Sequence, residues 1–213
     1  MVAVHSSSAD IYQVGINSNG SNILVHDCKL VGFYGQAISA NGGRVSAQGN
    51  MFWNGAVFVA GAGNGSIISG NFVTRPAILT PGLRGEGAND AHPALISLVG
   101  HGIVVSGNNI RDDGPAGDIL DLGDSQSVMV SGNSFSTADE ISGGNNTAQA
   151  RCAITAHNTS SSSGFITGNL FVNRNALSPA ASAGSGGLIA TNNWVAGRLL
   201  NSSEPAVAGR SRE

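Results

Sequence analysis

Acidic side chains crowd one part of this 213-residue chain. Of its 13 Asp and Glu residues, nine fall between Glu86 and Glu140, together with Arg84, Arg111, His92 and His101. Asp112 and Asp113 adjoin in R-D-D-G-P, and Asp118, Asp121 and Asp124 follow at regular short intervals. Clustered carboxylates can do two kinds of chemistry. A pair can act as acid and base across a glycosidic bond, and a group can hold Ca²⁺ through hard oxygen ligands. Asp121, Asp118, Asp112 and Asp113 are therefore the candidate catalytic residues. Arg111, Arg84, His101 and Trp53 are the candidates for holding a substrate. Turn formation competes for the same acids: D-x-G-P is an ordinary turn sequence, and Asp118 and Asp124 bracket a short strand. His92 and His101 lack the His/Cys spacing of a zinc site. The run Ser160 to Ser163 has no nucleophile motif around it.

A repeated phrase must position these residues. Ile103 to Ile110 reads I-V-V-S-G-N-N-I, apolar at alternate positions and then broken by Ser-Gly-Asn. Ile67 to Phe72, Val128 to Phe135 and Phe165 to Phe171 repeat it, and Val45 to Phe52 is a looser copy. Degenerate copies lie at Ile23 to Leu30 and Leu188 to Val195. The turn position falls at Cys28, Asn50, Asn71, Asn108, Asn133, Asn169 and Asn193, in steps of 22, 21, 37, 25, 36 and 24 residues. A second short apolar run precedes the phrase in each unit, as at Ala37–Ala40, Ala94–Leu98, Asp118–Leu122 and Cys152–Ala156. Short β-type runs punctuated by Gly, Asn and Ser, repeating at this period without helical spacing, predict a β-solenoid.

That frame assigns directions. Leu120 and Leu122 match Ile96 and Leu98 one unit back and Ile154 and Ala156 one unit on. If those point inward, Asp121 points outward in a polar stripe with Ser97, Thr155 and Ser39. The Asn of the phrase is expected to be structural, bonding the bend and the next coil in a ladder of buried amides. Cys28 takes its slot in the first unit as a small substitute. Ile68, Val105, Val130 and Ile166 are expected to share one inward row. Two long stretches interrupt the rhythm, Thr74 to Pro93 and Thr137 to Arg151, and loops of that kind wall a groove.

The phrase V-x-V-S-G-N-x-F/I resembles the repeat of right-handed parallel β-helix proteins, the pectin-lyase-like superfamily of pectate lyases, polygalacturonase-type hydrolases and phage tailspikes. The resemblance runs from about Ile11 to Val195. It implies an all-β, single-stranded, right-handed parallel β-helix solenoid of about seven coils. Residues 1–10 are then a polar lead-in and 196–213 a C-terminal tail. It also implies a polysaccharide partner, held in a groove beside coils three to five. The protein either cleaves that partner as a hydrolase or lyase, with Ca²⁺ in the lyase branch, or binds it without catalysis as an adhesin or tailspike segment. The tailspike branch allows a homotrimer. The family's catalytic motifs do not carry over. The polygalacturonase set N-T-D, D-D, G-H-G and R-I-K has only Gly100-His101-Gly102 and Asp112-Asp113 here, in reversed order, and the lyase R-x-P-x-x-R is missing.

Composition agrees with such a solenoid. Gly is 31 of 213 residues and charged residues are 11%, well below the usual ~25%. A net charge of −3 with Lys29 as the single lysine argues against a nucleic-acid partner. No apolar run approaches the ~20 residues of a membrane helix. Leucine-rich repeats need more Leu at fixed offsets, and six-residue or G-G-x-G-x-D periods are absent. Met1 to Asp10 is polar and has no apolar signal region; for an extracellular or virion-surface protein that leaves either synthesis in the cytoplasm, as for a virion part, or a fragment of a longer chain, and the fragment is the expectation. Cys28 and Cys152 lie five copies apart, over ~20 Å at one coil per ~4.8 Å. A disulfide needs Cα atoms within ~7 Å, so both thiols are expected to be free.

Overall fold

The architecture was obtained as a computed structural model. It describes residues 14–20, 22–32, 36–53, 57–75, 94–112, 119–136, 152–156, 162–172, 175–177, 187–195 and 198–200. All regular structure among these residues is strand. In chain order the strands come in threes. The first are β1 (Val14–Asn19), β2 (Ile23–His26) and β3 (Lys29–Val31), then β4 (Gln36–Asn41), β5 (Val45–Gln48) and β6 (Met51–Trp53). Next are β7 (Val57–Ala62), β8 (Ile67–Ser69), β9 (Phe72–Arg75), β10 (Ile96–Val99), β11 (Val104–Ser106) and β12 (Asn109–Asp112). Then come β13 (Leu120–Asp121), β14 (Val128–Ser131), β15 (Ser134–Ser136), β16 (Cys152–Thr155), β17 (Gly164–Thr167) and β18 (Leu170–Val172). The series ends with β19 (Asn175–Leu177), β20 (Leu188–Thr191), β21 (Asn193–Val195) and β22 (Arg198–Leu200).

Each strand up to β18 pairs in parallel with the strand three places on, giving three sheets of 7, 7 and 8 strands. The first sheet is β1-β4-β7-β10-β13-β16-β19 and the second β2-β5-β8-β11-β14-β17-β20. The third runs from β3 to β21 and adds β22 antiparallel to β21. This is a parallel β-solenoid. The repeated phrase is two strands, not one: it straddles the corner between the second and third sheets. β22 lies in the segment the sequence left as a tail.

That corner is the same length almost everywhere. Two residues separate β2 from β3, β5 from β6 and every later such pair down to β17 and β18; only Asn192 separates β20 from β21. The first corner residue is left-handed each time. It is Asp27 (φ 53), Gly49 (64), Gly70 (63), Gly107 (63), Gly132 (64), Gly168 (65) and Asn192 (55). Glycine takes this conformation without steric cost, and Asp and Asn are the residues that tolerate it best otherwise. The degenerate first and last copies therefore keep the bend with different residues. The other two corners vary: β9 to β10 and β15 to β16 are joined by long stretches, whereas β3 to β4 is short.

The next residue builds the ladder. Asn50, Asn71, Asn108, Asn133, Asn169 and Asn193 are all buried. The Asn50 Nδ2 donates to Asn71 Oδ1 at 3.0 Å, and the same bond recurs from Asn71 to Asn108 (2.8), Asn108 to Asn133 (2.8), Asn133 to Asn169 (2.9) and Asn169 to Asn193 (2.9). Each Nδ2 also donates to a strand carbonyl, for example that of Val105 from Asn133. Each backbone N–H donates to the next Oδ1. From Asn50 to Asn169 both side-chain amide hydrogens, the backbone N–H and the amide oxygen are thus employed away from water, as buried polar groups require. Cys28 opens the column: its N–H donates to Asn50 Oδ1 and its Sγ to the His26 carbonyl. It is a half-buried free thiol; the Cys152 side chain lies outside the described residues.

Alternation fills the core from all three sheets. The second sheet contributes Val25, Ala47, Ile68, Val105, Val130, Ile166 and Ala190 in register, the row expected from the phrase. Ile38, Val59, Ile96, Leu120 and Ile154 form the inward row of the first sheet. Leu30, Phe52, Val73, Ile110, Phe135 and Phe171 form that of the third. All are buried. Phe135 stacks on Phe171 with centroids 5.3 Å apart and planes at 9°. Burying each such side chain contributes ~1.5–3 kcal/mol.

Candidate functional site

Asp121 lies on β13, and its strand neighbours are Ser97 on one side and Thr155 on the other. The row continues through Ala60 to Ser39. Ser97 and Thr155 flank Asp121 as the alternation predicted, but Ala60 interrupts the polar row and Ser39 at its far end is buried. The carboxylate is half-buried and has local work: Oδ1 accepts the Gly123 N–H at 2.8 Å, closing the turn after the strand. Beside it, the buried Thr155 Oγ1 has no hydrogen-bond partner among the described residues.

Asp112 is placed differently from the expectation of a groove-lining loop residue. It is the last residue of β12 and is 1% exposed. Its strand partner is Arg75, the last residue of β9, itself 2% exposed. The two form a fork: Arg75 Nε donates to Asp112 Oδ1 at 2.7 Å and Nη2 to Oδ2 at 2.6 Å. Parity explains this. Asp112 is two residues from the inward Ile110, and Arg75 two from the inward Val73, so both side chains face the interior. A buried charge needs a charged or hydrogen-bonding partner, and each supplies the other's. Sequence reasoning overlooked Arg75, though its spacing from Val73 was there to read.

Arg111 and Trp53 do come together. On the outer face of the third sheet one row runs Val31, Trp53, Thr74, Arg111, Ser136, Val172. The adjoining row runs Lys29, Met51, Phe72, Asn109, Ser134, Leu170, Trp194. Trp53 is 50% exposed, Phe72 49% and Met51 46%, and Arg111 is also exposed. Trp53 and Arg111 are two strand steps apart, about 10 Å. Trp53, Phe72 and Met51 therefore form an apolar platform, with Arg111 and Asn109 beside it. The sequence suggested Trp53 and Arg111 but gave no reason to join them, because the third sheet was not recognised as a separate layer.

His101 lies elsewhere, at the corner between the first and second sheets. It is exposed; its N–H donates to Asn64 Oδ1 at 2.9 Å, and its backbone bridges to Gln126. The structure does not place it with Arg111. Arg84, Asp113 and Asp118 lie outside the described residues. The described donors do not make a Ca²⁺ cage. Asp112 is committed to Arg75, and no group of three His, Cys, Asp or Glu comes together among the described residues. Among those residues, too, no helix is long and apolar enough to cross a membrane. Comparison of the chain with family models, with curated proteins and with solved structures finds no match in any of the three.

Proposed function

We propose that this chain is a polysaccharide-binding right-handed parallel β-helix of seven coils, of the pectin-lyase-like kind, and that it holds its ligand on the outer face of the third sheet. Right-handedness follows the strong preference of parallel strand crossovers. One observation carries the binding reading: Trp53, Phe72 and Met51 lie exposed on a flat sheet beside Arg111 and Asn109. Monomeric proteins seldom leave large apolar side chains exposed together without a use. A sugar ring presents an apolar face to an aromatic platform and hydroxyls to Asn, and an acidic sugar presents a carboxylate that a guanidinium grips. Such a surface suits an adhesin or tailspike-type segment that grips without cutting.

The test is titration of soluble neutral and acidic polysaccharides into wild type, Trp53→Ala and Arg111→Ala. Trp53→Ala should weaken binding about tenfold or more, ~1.4 kcal/mol. Arg111→Ala should weaken acidic ligands selectively. Unchanged affinities for both variants would refute the third-sheet site. Cleavage is the second reading, and the outward Asp121 beside the Thr155 hydroxyl, unpartnered among the described residues, is what favours it. Under that reading a reducing-sugar or ultraviolet assay detects product, and Asp121→Asn lowers turnover by roughly a hundredfold or more.

A further inference from the structure

The outer face of the second sheet is a different kind of surface. One of its rows is apolar: Ile67, Val104, Met129, Phe165 and Ile189 are strand partners in succession. Met129 is 41% exposed, Phe165 49% and Ile189 42%. The next outward row is hydroxylic throughout the same strands and includes Ser131, Thr167 and Thr191. Thr191 Oγ1 lies 3.4 Å from Thr167 Oγ1, so the hydroxyls form a line parallel to the apolar one. Neither row carries a charged side chain from β5 onward; His26 on β2 is the single ionisable group.

We infer that this face is a track for one uncharged, extended polysaccharide chain lying along the solenoid axis, with one sugar ring per strand step. Four features select that occupant. The apolar stripe is a single side chain wide, narrower than the broad patch a stable protein interface buries, ~800 Å² per partner. Its neutrality excludes nucleic acid and acidic glycans as preferred ligands. Across its width an apolar line adjoins a hydroxyl line, which matches a pyranose with apolar C–H faces and a rim of hydroxyls. Along its length both lines repeat at the strand spacing of ~4.8 Å, close to the advance of one ring in an extended β-linked chain. The inference rests on the polysaccharide reading above but uses none of its residues.

Calorimetric titration of the intact chain with cello-oligosaccharides and xylo-oligosaccharides of increasing length tests it. Affinity should rise with each added ring until the five strands from β8 to β20 that carry both rows are spanned. Phe165→Ala and Met129→Ser should each weaken the longest oligosaccharide about tenfold, and Thr167→Val about threefold, while substitution of the exposed first-sheet residue Val99→Ser leaves that affinity unchanged. Melting temperatures of the variants check that they are folded. Loss of binding in Trp53→Ala alone would overturn the track and leave the third-sheet site standing. Loss in Phe165→Ala alone would do the reverse. Absence of any oligosaccharide binding, or a self-associated wild type made monomeric by Phe165→Ala in sedimentation, would also overturn the track.

Discussion

Two carboxylates a few residues apart have opposite fates, and parity decides them. Asp121 is one residue from inward Leu120 and faces out; Asp112 is two from inward Ile110 and faces in. The inward one survives because Arg75 meets it one strand away with both fork bonds made. Removing one partner takes the fork away from the other buried charge, and breaking a buried pair in this way costs ~3–5 kcal/mol. Asp112→Asn should therefore lower the urea midpoint sharply with little change in slope. The double variant Arg75→Met/Asp112→Leu should recover much of the loss, since a well-packed apolar pair often matches a buried ion pair. Equal destabilisation by the single and double variants would show that the charges were not a pair. The sequence made Asp121 legible because its neighbours are regular on both sides. Asp112 was misread because D-D-G-P looks like a turn, and its first residue is still strand.

At the scale of the element, the phrase specifies a corner more than a strand. The left-handed residue turns the chain, the Asn locks one level to the next, and flanking alternation sends Val105 and Ile110 into the core from two different sheets. Val105→Asp places an unpaired charge in the middle of a buried row, so the thermal transition should fall by many degrees or vanish. An unchanged melting temperature would contradict the register. Gly164→Ala tests a tighter constraint. Gly164 has φ 137, and an added Cβ would run into the Val128 backbone of the strand it pairs with. Backbone strain alone should cost ~1–3 kcal/mol, measured by denaturant unfolding. The repeat showed strands, ladder and inward rows in the sequence because each recurs at fixed offsets from the Asn. The third sheet was hidden because its strands are mostly three or four residues long, too short to display a period of their own.

Across the whole molecule, the sheets differ in what they show to water. The first carries a polar stripe around Asp121, the second paired apolar and hydroxyl lines, and the third an aromatic platform beside an arginine. Such long-range groupings could not be read from sequence. Trp53 and Arg111 are far apart in the chain and become neighbours only through intervening strands whose register depends on the long stretch after β9. The near-constant two-residue corner between the second and third sheets has a consequence for how this protein can be edited by its gene. Length can be added at the other corners, because a new residue there only bulges outward before the next strand resumes its place. At the Gly-Asn corner one added codon displaces the amide from its column and turns every following side chain of β15 to the wrong face. A single alanine inserted between Gly132 and Asn133 should therefore abolish the cooperative thermal transition, while ten Gly/Ser residues inserted within 137–151 should leave it nearly intact. A solenoid of this design can drift freely in the length of its loops and hardly at all in the length of its corner, so descendants would be expected to share Gly-Asn spacing long after their loops have ceased to align.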